Sequence, residues 1–292
     1  MIKLNNRFKW DLRKITTMLL FTFALLSIVV TEGKVIAMKI EKSSLNKKLT
    51  TIQQDNNNME SKNAKLLSDI KGQEDVYKEK LKNVKIAYLT FDDGPSNNTK
   101  DILKILKENN IKATFFVNGH PKLANLYKEI QQDGHVIANH TYSHDYSNVY
   151  ISPENFEKDV KKLDKFLEDT TGKNSSHIIR YPGGSNNTIS HRYGGRSVMK
   201  SILPYMEKKG YVYFDWNVDS TDASAFCQKK ERIVNSVLSQ SRGTHQAVIL
   251  MHDTNPKVTT VQALPEIIKG LKEQGFIFEV LTKDSPRASL TR

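Results

Sequence analysis

Short runs of apolar, β-prone residues alternate with longer amphipathic stretches from Val84 to the end of the chain. The runs Val84–Phe91, Ala113–Val117, His135–Asn139, His177–Arg180, Tyr211–Val218, Ala247–Met251 and Phe276–Leu281 predict strands. Between them, helical periodicity marks Thr99–Asn109, Lys122–Gln132, Pro153–Asp169, Arg196–Lys209, Lys229–Gln240 and Val258–Glu273. Pro153 follows Ser152, as a first-turn proline follows a capping residue. Gly134, Gly172, Gly210 and Gly275 each close a helical stretch, where a left-handed cap favours glycine. Seven strands alternating with six helices predict a parallel α/β fold, best fitted by a seven-stranded barrel. An open doubly wound sheet is the alternative, but no G-x-G-x-x-G motif follows the first strand.

The first 83 residues follow another pattern. Lys3, Arg7, Lys9, Arg13 and Lys14 precede an apolar run from Ile15 to Val30. A basic flank before such a run predicts a signal-anchor with the basic end inside and the remainder exported. The close alternative is a cleaved signal peptide and a secreted product. Residues 38–83 are polar, with Leu45, Leu49, Ile52, Leu66, Ile70 and Leu81 at irregular spacing. They predict a partly helical, solvated stalk, with Asp55-Asn56-Asn57-Asn58 interrupting any heptad. The expected division is therefore 1–37 anchor, 38–83 stalk and 84–292 folded domain.

Charge changes this picture little. The net formal charge of +12 suits anionic partners. Residues 1–83 carry 16 Lys/Arg against 9 Asp/Glu, so the excess is densest outside the folded part. No nucleic-acid motif and no basic patch interleaved with aromatics accompanies it. The single cysteine, Cys227, has nothing around it that marks an activated thiol, and it reads as a packing residue.

Candidate chemistry gathers where the predicted strands end. Asp92 and Asp93 follow the first strand, His140 and His144 the third. Arg180 closes the fourth, Asp219 and Asp222 follow the fifth, and His252 follows the sixth. In a parallel barrel those ends share one face, where active sites form. His140 and His144, four apart, would face one way on a helical turn and could share a metal, with a first-strand carboxylate as third ligand. Asp92 and Asp93 would point opposite ways on an extended backbone, leaving one free as a base. Taken alone, each piece has a blander reading: an Asp-Gly-Pro turn, two loop histidines, a core histidine at 252. His120, His135, His177, His191 and His245 have no partner at ligand spacing and read as structural or solvent-facing, and Trp216 reads as core rather than a sugar platform.

In motif order the chain resembles the polysaccharide deacetylase family, also called the NodB-type domain or carbohydrate esterase family 4. The matching residues are Thr90-Phe91-Asp92-Asp93-Gly94-Pro95, His140-Thr141-Tyr142-Ser143-His144, Arg180-Tyr181-Pro182-Gly183-Gly184, Asp219-Ser220-Thr221-Asp222 and Leu250-Met251-His252. Ala223 stands where the family's fourth motif has Trp, so Trp216 or another aromatic would have to supply that wall of the acetyl pocket. The resemblance implies a distorted (β/α)7 barrel and a divalent metal, zinc in the usual case, with cobalt or nickel as alternatives. It implies Asp93, His140 and His144 as ligands, Asp92 as base, His252 as general acid, Asp222 tuning it and Arg180 orienting Asp92. The Gly183 N–H would hold the oxyanion, with Tyr181 and Leu250 beside the substrate. The expected activity is N-deacetylation of N-acetylhexosamine polymers, peptidoglycan foremost. An O-acetyl esterase for xylan-like glycan and a non-catalytic glycan-binding surface protein are the alternatives.

Overall fold

The computed structural model describes residues 6–81, 84–174 and 176–290. The chain divides into two units, residues 1–78 and 79–292. In the first, helix α1 runs unbroken from Asn6 to Leu81. The stalk, read as partly helical, is helical throughout its described residues, Asp55–Asn58 included. Three asparagines cost a helix only tenths of a kcal/mol each, and the Lys, Glu, Leu and Gln around them favour it. Its apolar run is exposed along its whole length. By length and composition α1 can cross a membrane.

Among its described residues the second unit interleaves eight strands with eight α-helices. In chain order they are β1 (Lys85–Asp92), α2 (Thr99–Glu108), β2 (Thr114–Val117), α3 (Ala124–Gln132), β3 (Val136–Asn139), α4 (Tyr146–Val149), α5 (Pro153–Thr171), β4 (Ile178–Ile179), α6 (His191–Gly194), α7 (Val198–Lys208), β5 (Val212–Tyr213), β6 (Val218–Asp219), α8 (Lys230–Ser241), β7 (Gln246–His252), α9 (Val258–Glu273) and β8 (Phe276–Phe278). All pairings are parallel, in the order β5-β4-β3-β2-β1-β7-β6, with β8 on the start of β1. The sheet curls into the distorted (β/α)7 barrel that the motifs implied. Helix α5 starts and stops as read: the Ser152 hydroxyl accepts from the Asn155 N–H, and Gly172 adopts the left-handed cap.

Alternation along the strands sorts the core. On β1, Ala87, Leu89 and Phe91 face the helices and join Phe115, Ile249, Leu264 and Ile267. Ile86 and Tyr88 face the barrel interior with Phe116, Ala138, Val248 and Phe214. Thr90 and Asp92 continue that inner row toward the mouth.

One predicted strand is corrected. Tyr211–Val218 is two short strands, β5 and β6, and they do not pair with each other. The chain between them bends, so that Phe214 and Asp215 offer their carbonyls to buried Arg180. Beside this seam the C-terminal residues return: Asp215 N–H donates to the Ala288 carbonyl at 2.9 Å, and Leu290 N–H to the Asp215 carboxylate at 2.8 Å.

Candidate active site

Strand β1 ends at Asp92, and Asp93 turns into the left-handed region at φ 69°. The two carboxylates therefore do not diverge as neighbours on an extended backbone would. Both approach one imidazole nitrogen, His140 Nε2, at 3.7 Å for Asp92 Oδ2 and 3.6 Å for Asp93 Oδ1. His144 Nε2 lies 3.4 Å from Asp93 Oδ1.

The pairing of His140 with His144 is also not helical. Thr141 at φ 67° and His144 at φ 52° fold the segment into a loop that brings the rings to 5.1 Å between centroids. A β-branched residue at positive φ is strained by about 1–3 kcal/mol, a cost the surroundings must offset. Here Thr141 N–H donates to Asn139 Oδ1 at 2.8 Å and its carbonyl accepts from Asn118 Nδ2 at 2.9 Å. Its hydroxyl accepts from His144 N–H at 3.2 Å. Asn118 also donates to the His140 carbonyl at 2.7 Å.

His140 Nδ1 lies 2.8 Å from the Arg180 carbonyl and can only donate to it. That fixes the tautomer and leaves the Nε2 lone pair facing Asp93. Burial lowers the His140 pKa, with His144 adding to the effect, against the pull of Asp92, Asp93 and the Arg180 carbonyl. The ring is thus held neutral, the form that binds metals.

The Asp93, His140 and His144 donor atoms lie within 4.8 Å of one another. Asp93 Oδ1 is buried without a hydrogen-bond partner among the described residues. Donors about 2.0–2.1 Å from a tetrahedral ion sit roughly 3.4 Å apart, close to the separations found. Two imidazoles and one carboxylate suit a divalent cation of the zinc type and leave a coordination position for chemistry. The residues present fit the implied metal.

Arg180 is fully buried. Its guanidinium donates to Asp92 Oδ1 at 2.7 Å, to Thr90 Oγ1 at 2.8 Å, and to the Phe214 and Asp215 carbonyls at 2.9 Å each. Phe116 stacks on it at 4.1 Å from the ring centroid. The period-two row Thr90–Asp92 on β1 makes this possible, because both side chains face inward over the same arginine.

His252 is the cross-strand partner of Asp92. Its Nδ1 and backbone N–H both meet the Asp222 carboxylate, at 2.7 and 2.8 Å, and Thr260 Oγ1 donates to the same carboxylate at 2.9 Å. Burial works against a charge on His252. The hydrogen bond to Asp222 and its charge, with Asp92 and Asp93 farther off, outweigh that and push the pKa up to about 9. The same contacts hold the Asp222 carboxyl below its ordinary range although burial opposes them.

The remaining candidates fall less evenly. Gly183 is at φ 77°, where a Cβ would stand 2.7 Å from the Tyr146 hydroxyl oxygen, and Tyr146 in turn packs on His144. Leu250 shares the inner face of β7 with His252 by alternation. The Tyr181 side chain is fully buried between Phe156 and Tyr213, so any contact with a substrate is through its backbone. Asp219 turns its carboxylate to the Thr221 N–H at 2.7 Å and shapes the loop. Trp216 is half-buried, packs against the barrel-interior residues 5.8 Å from the Arg180 guanidinium carbon, and lies close to Gly184 of the loop after β4. Ala223 is exposed.

Three functional neighbours were not read from the sequence. Asp253 is buried and accepts from Ser96 Oγ and Thr99 Oγ1 at 2.7 and 2.6 Å, pinning the loop after β1. It explains Gly94, where a Cβ would fall 2.5 Å from Asp253 Oδ2. Asn118 is the second. The third is His120, whose Nε2 is 3.3 Å from the Asp93 carbonyl. It lines an open cavity of about 660 Å³ shared with Asp93, His144, Asn97 and Lys122. Asn118 and His120 follow the end of β2, which is the signal that could have found them.

The fold and this constellation define a polysaccharide deacetylase. Residues 79–212 match the polysaccharide deacetylase family model, and the chain belongs to that family. It is 32% identical over 210 residues to a peptidoglycan-N-acetylglucosamine deacetylase of Bacillus cereus, covering 70% of this chain and 72% of that one. The solved catalytic domain of peptidoglycan N-acetylglucosamine deacetylase from Eubacterium rectale matches with a TM-score of 0.67 and 38% identity, over 70% of this chain and 92% of that chain. A bifunctional xylanase/deacetylase of Pseudobutyrivibrio xylanivorans is 33% identical over 205 residues, 69% of this chain and 30% of that protein. This chain is accordingly a hydrolase acting on acetylated polysaccharide.

Proposed function

We propose that the chain removes N-acetyl groups from N-acetylhexosamine polymers, with cell-wall peptidoglycan the leading substrate. The supporting observation is the pairing of two separate devices at one barrel mouth. A carboxylate, Asp92, is aimed by buried Arg180 at the Asp93–His140–His144 cluster, and an imidazole charged through Asp222 stands on the adjacent strand.

In this reading Asp93, His140 and His144 hold the metal. Bound there, a divalent cation supplies Lewis-acid polarisation of the acetyl carbonyl and a more acidic attacking water. Asp92 accepts the proton that the water gives up as its oxygen joins the acetyl carbon. The Gly183 N–H stabilises the charge that develops on the carbonyl oxygen. His252 donates a proton to the departing nitrogen as the carbon–nitrogen bond breaks. Acetate and a free amino sugar result. Leu250, beneath His252 on the same face of β7, contributes to the floor of the acetyl pocket.

Zinc is the metal we favour, with cobalt or nickel able to replace it. Residues 1–37 serve as a membrane anchor through residues 15–30, residues 38–83 as a spacer and residues 84–292 as an extracytoplasmic catalytic domain. The names of the peptidoglycan-directed relatives support the substrate, and the apolar run of α1 supports the anchor.

Acetate release from N-acetylglucosamine oligomers and from O-acetylated xylan, with chelator and metal add-back, tests the assignment. Release from the oligomers that stops with chelator and returns with metal is expected. Release from the xylan alone would replace the amide reading with an esterase, and metal-independent release would remove the proposed ligands.

A further inference from the structure

Lys257 sits between β7 and α9, and its ammonium group binds backbone carbonyls. Its Nζ donates to the carbonyls of Asp222 at 2.9 Å, Ala225 at 2.7 Å and Phe226 at 3.3 Å. An ammonium has three N–H groups, so one side chain clips both ends of the segment Asp222–Phe226. The first residue of that segment is the carboxylate partner of His252. The last, Phe226, is 81% exposed, the most exposed large apolar residue among those described. Val258, next to Lys257 in the chain, is 45% exposed. Cys227 is tied back to Thr259, Sγ to Oγ1 at 3.6 Å, holding the far side of Phe226 to the start of α9.

A single exposed apolar residue needs no explanation. Phe226 differs because its backbone is fixed to the structure that carries His252, while its ring has no cover. Two carbonyls that share one ammonium nitrogen are close together, so the ring is rooted within a few ångströms of the Asp222 backbone. A ring held in place on a short tether loses little conformational freedom when it binds. Its flat apolar face matches the C–H face of a pyranose, whose hydroxyls stay in water at the edge.

We propose that Phe226 is a sugar-stacking platform at the rim of the site, set by Lys257, and that it takes a pyranose unit of the acetylated glycan. Phe226 thereby determines specificity for polymer over small acetyl compounds, and Lys257 is a positioning residue. The inference rests on the deacetylase reading for the identity of the glycan, but stacking is measurable without turnover.

The experiment uses the full chain with N-acetylglucosamine oligomers, followed by acetate release and, separately, by calorimetric binding with the site's metal chelated. Phe226→Ala should raise KM for the oligomer about three- to tenfold, the range of one aromatic contact, with a much smaller change in kcat. Binding should weaken by a similar factor, and Phe226→Trp should restore both. Lys257→Met should weaken binding like Phe226→Ala, while Lys257→Arg recovers part of it. Unchanged KM and affinity in Phe226→Ala would overturn the platform. So would a Phe226→Trp variant as impaired as the alanine, since that marks a packing role. If the unaltered chain bound oligomer through Phe226 yet released no acetate, the platform would stand and the deacetylase reading would fall.

Discussion

Replacing Asp222 by Asn separates the charge on His252 from its place in the fold. The side chains are nearly the same size, and the Asn oxygen can still accept from Thr260 Oγ1 and the His252 N–H. What disappears is the negative charge beside Nδ1 at 2.7 Å. With that charge, His252 is pushed up to about 9. Two units below that value, at pH 7, about 99% of the ring is protonated. Without it, burial is opposed only by the more distant Asp92 and Asp93, and the ring falls back toward the ordinary 6.5 or so, where about a quarter is protonated at pH 7. The supply of acid thus falls about fourfold from population alone. Loss of the tautomer that Asp222 enforces adds to this, within the roughly 10²- to 10⁴-fold that a general acid contributes. A cation on Asp93, His140 and His144 lowers the His252 pKa in both proteins, so the displacement between them persists. Acetate release from N-acetylglucosamine oligomers, followed from pH 5 to 10, should show the alkaline limb moved to lower pH by more than one unit in Asp222→Asn. An unmoved limb with an undiminished rate at pH 7 would refute the role given to the pair.

Asp92→Asn should abolish acetate release while the protein still binds cobalt, read from its visible absorption; substantial turnover would remove Asp92 as base. The same change leaves Arg180 buried without its counter-charge, so thermal unfolding should show a loss approaching about 3 kcal/mol. Chelation should stop turnover, and zinc, cobalt or nickel should restore it, with one equivalent bound by metal analysis. Gly94→Ala should cost about 1–3 kcal/mol in denaturant unfolding, because its Cβ would stand 2.5 Å from Asp253 Oδ2; Asp253→Ala in the same chain should recover part of that loss.

Much of the fold was legible because strand and helix periods differ and the helix stops are marked by glycine. The ends of β1, β3, β4 and β7 could be placed closely enough to gather Asp92, His140, Arg180 and His252 on one face. What pattern could not give is backbone handedness. Asp93, Thr141 and His144 take left-handed conformations, and those turns, not alternation or helical spacing, bring the ligands together. Nothing in the local sequence forces a threonine there; Asn139, two residues earlier at the end of β3, and Asn118, just after β2, hold it. The break between β5 and β6 was hidden for a similar reason. Tyr211–Val218 is mostly strand-forming, with Asp215 and Asn217 its only polar residues, and the bend answers to Arg180, a residue more than 30 positions earlier in the chain.

The seam between β5 and β6 gives the end of the chain an unexpected task. Asp215 offers its carbonyl to the arginine that aims Asp92, while its own amide and carboxylate are gripped by Ala288 and Leu290. Residues 288–290 act as a gasket: remove them, and of the groups that grip Asp215 from behind only Ser185 remains among the described residues. Deleting those three, or forcing bulk against them, would thus loosen the bend that cradles the guanidinium from a distance while leaving every proposed ligand intact.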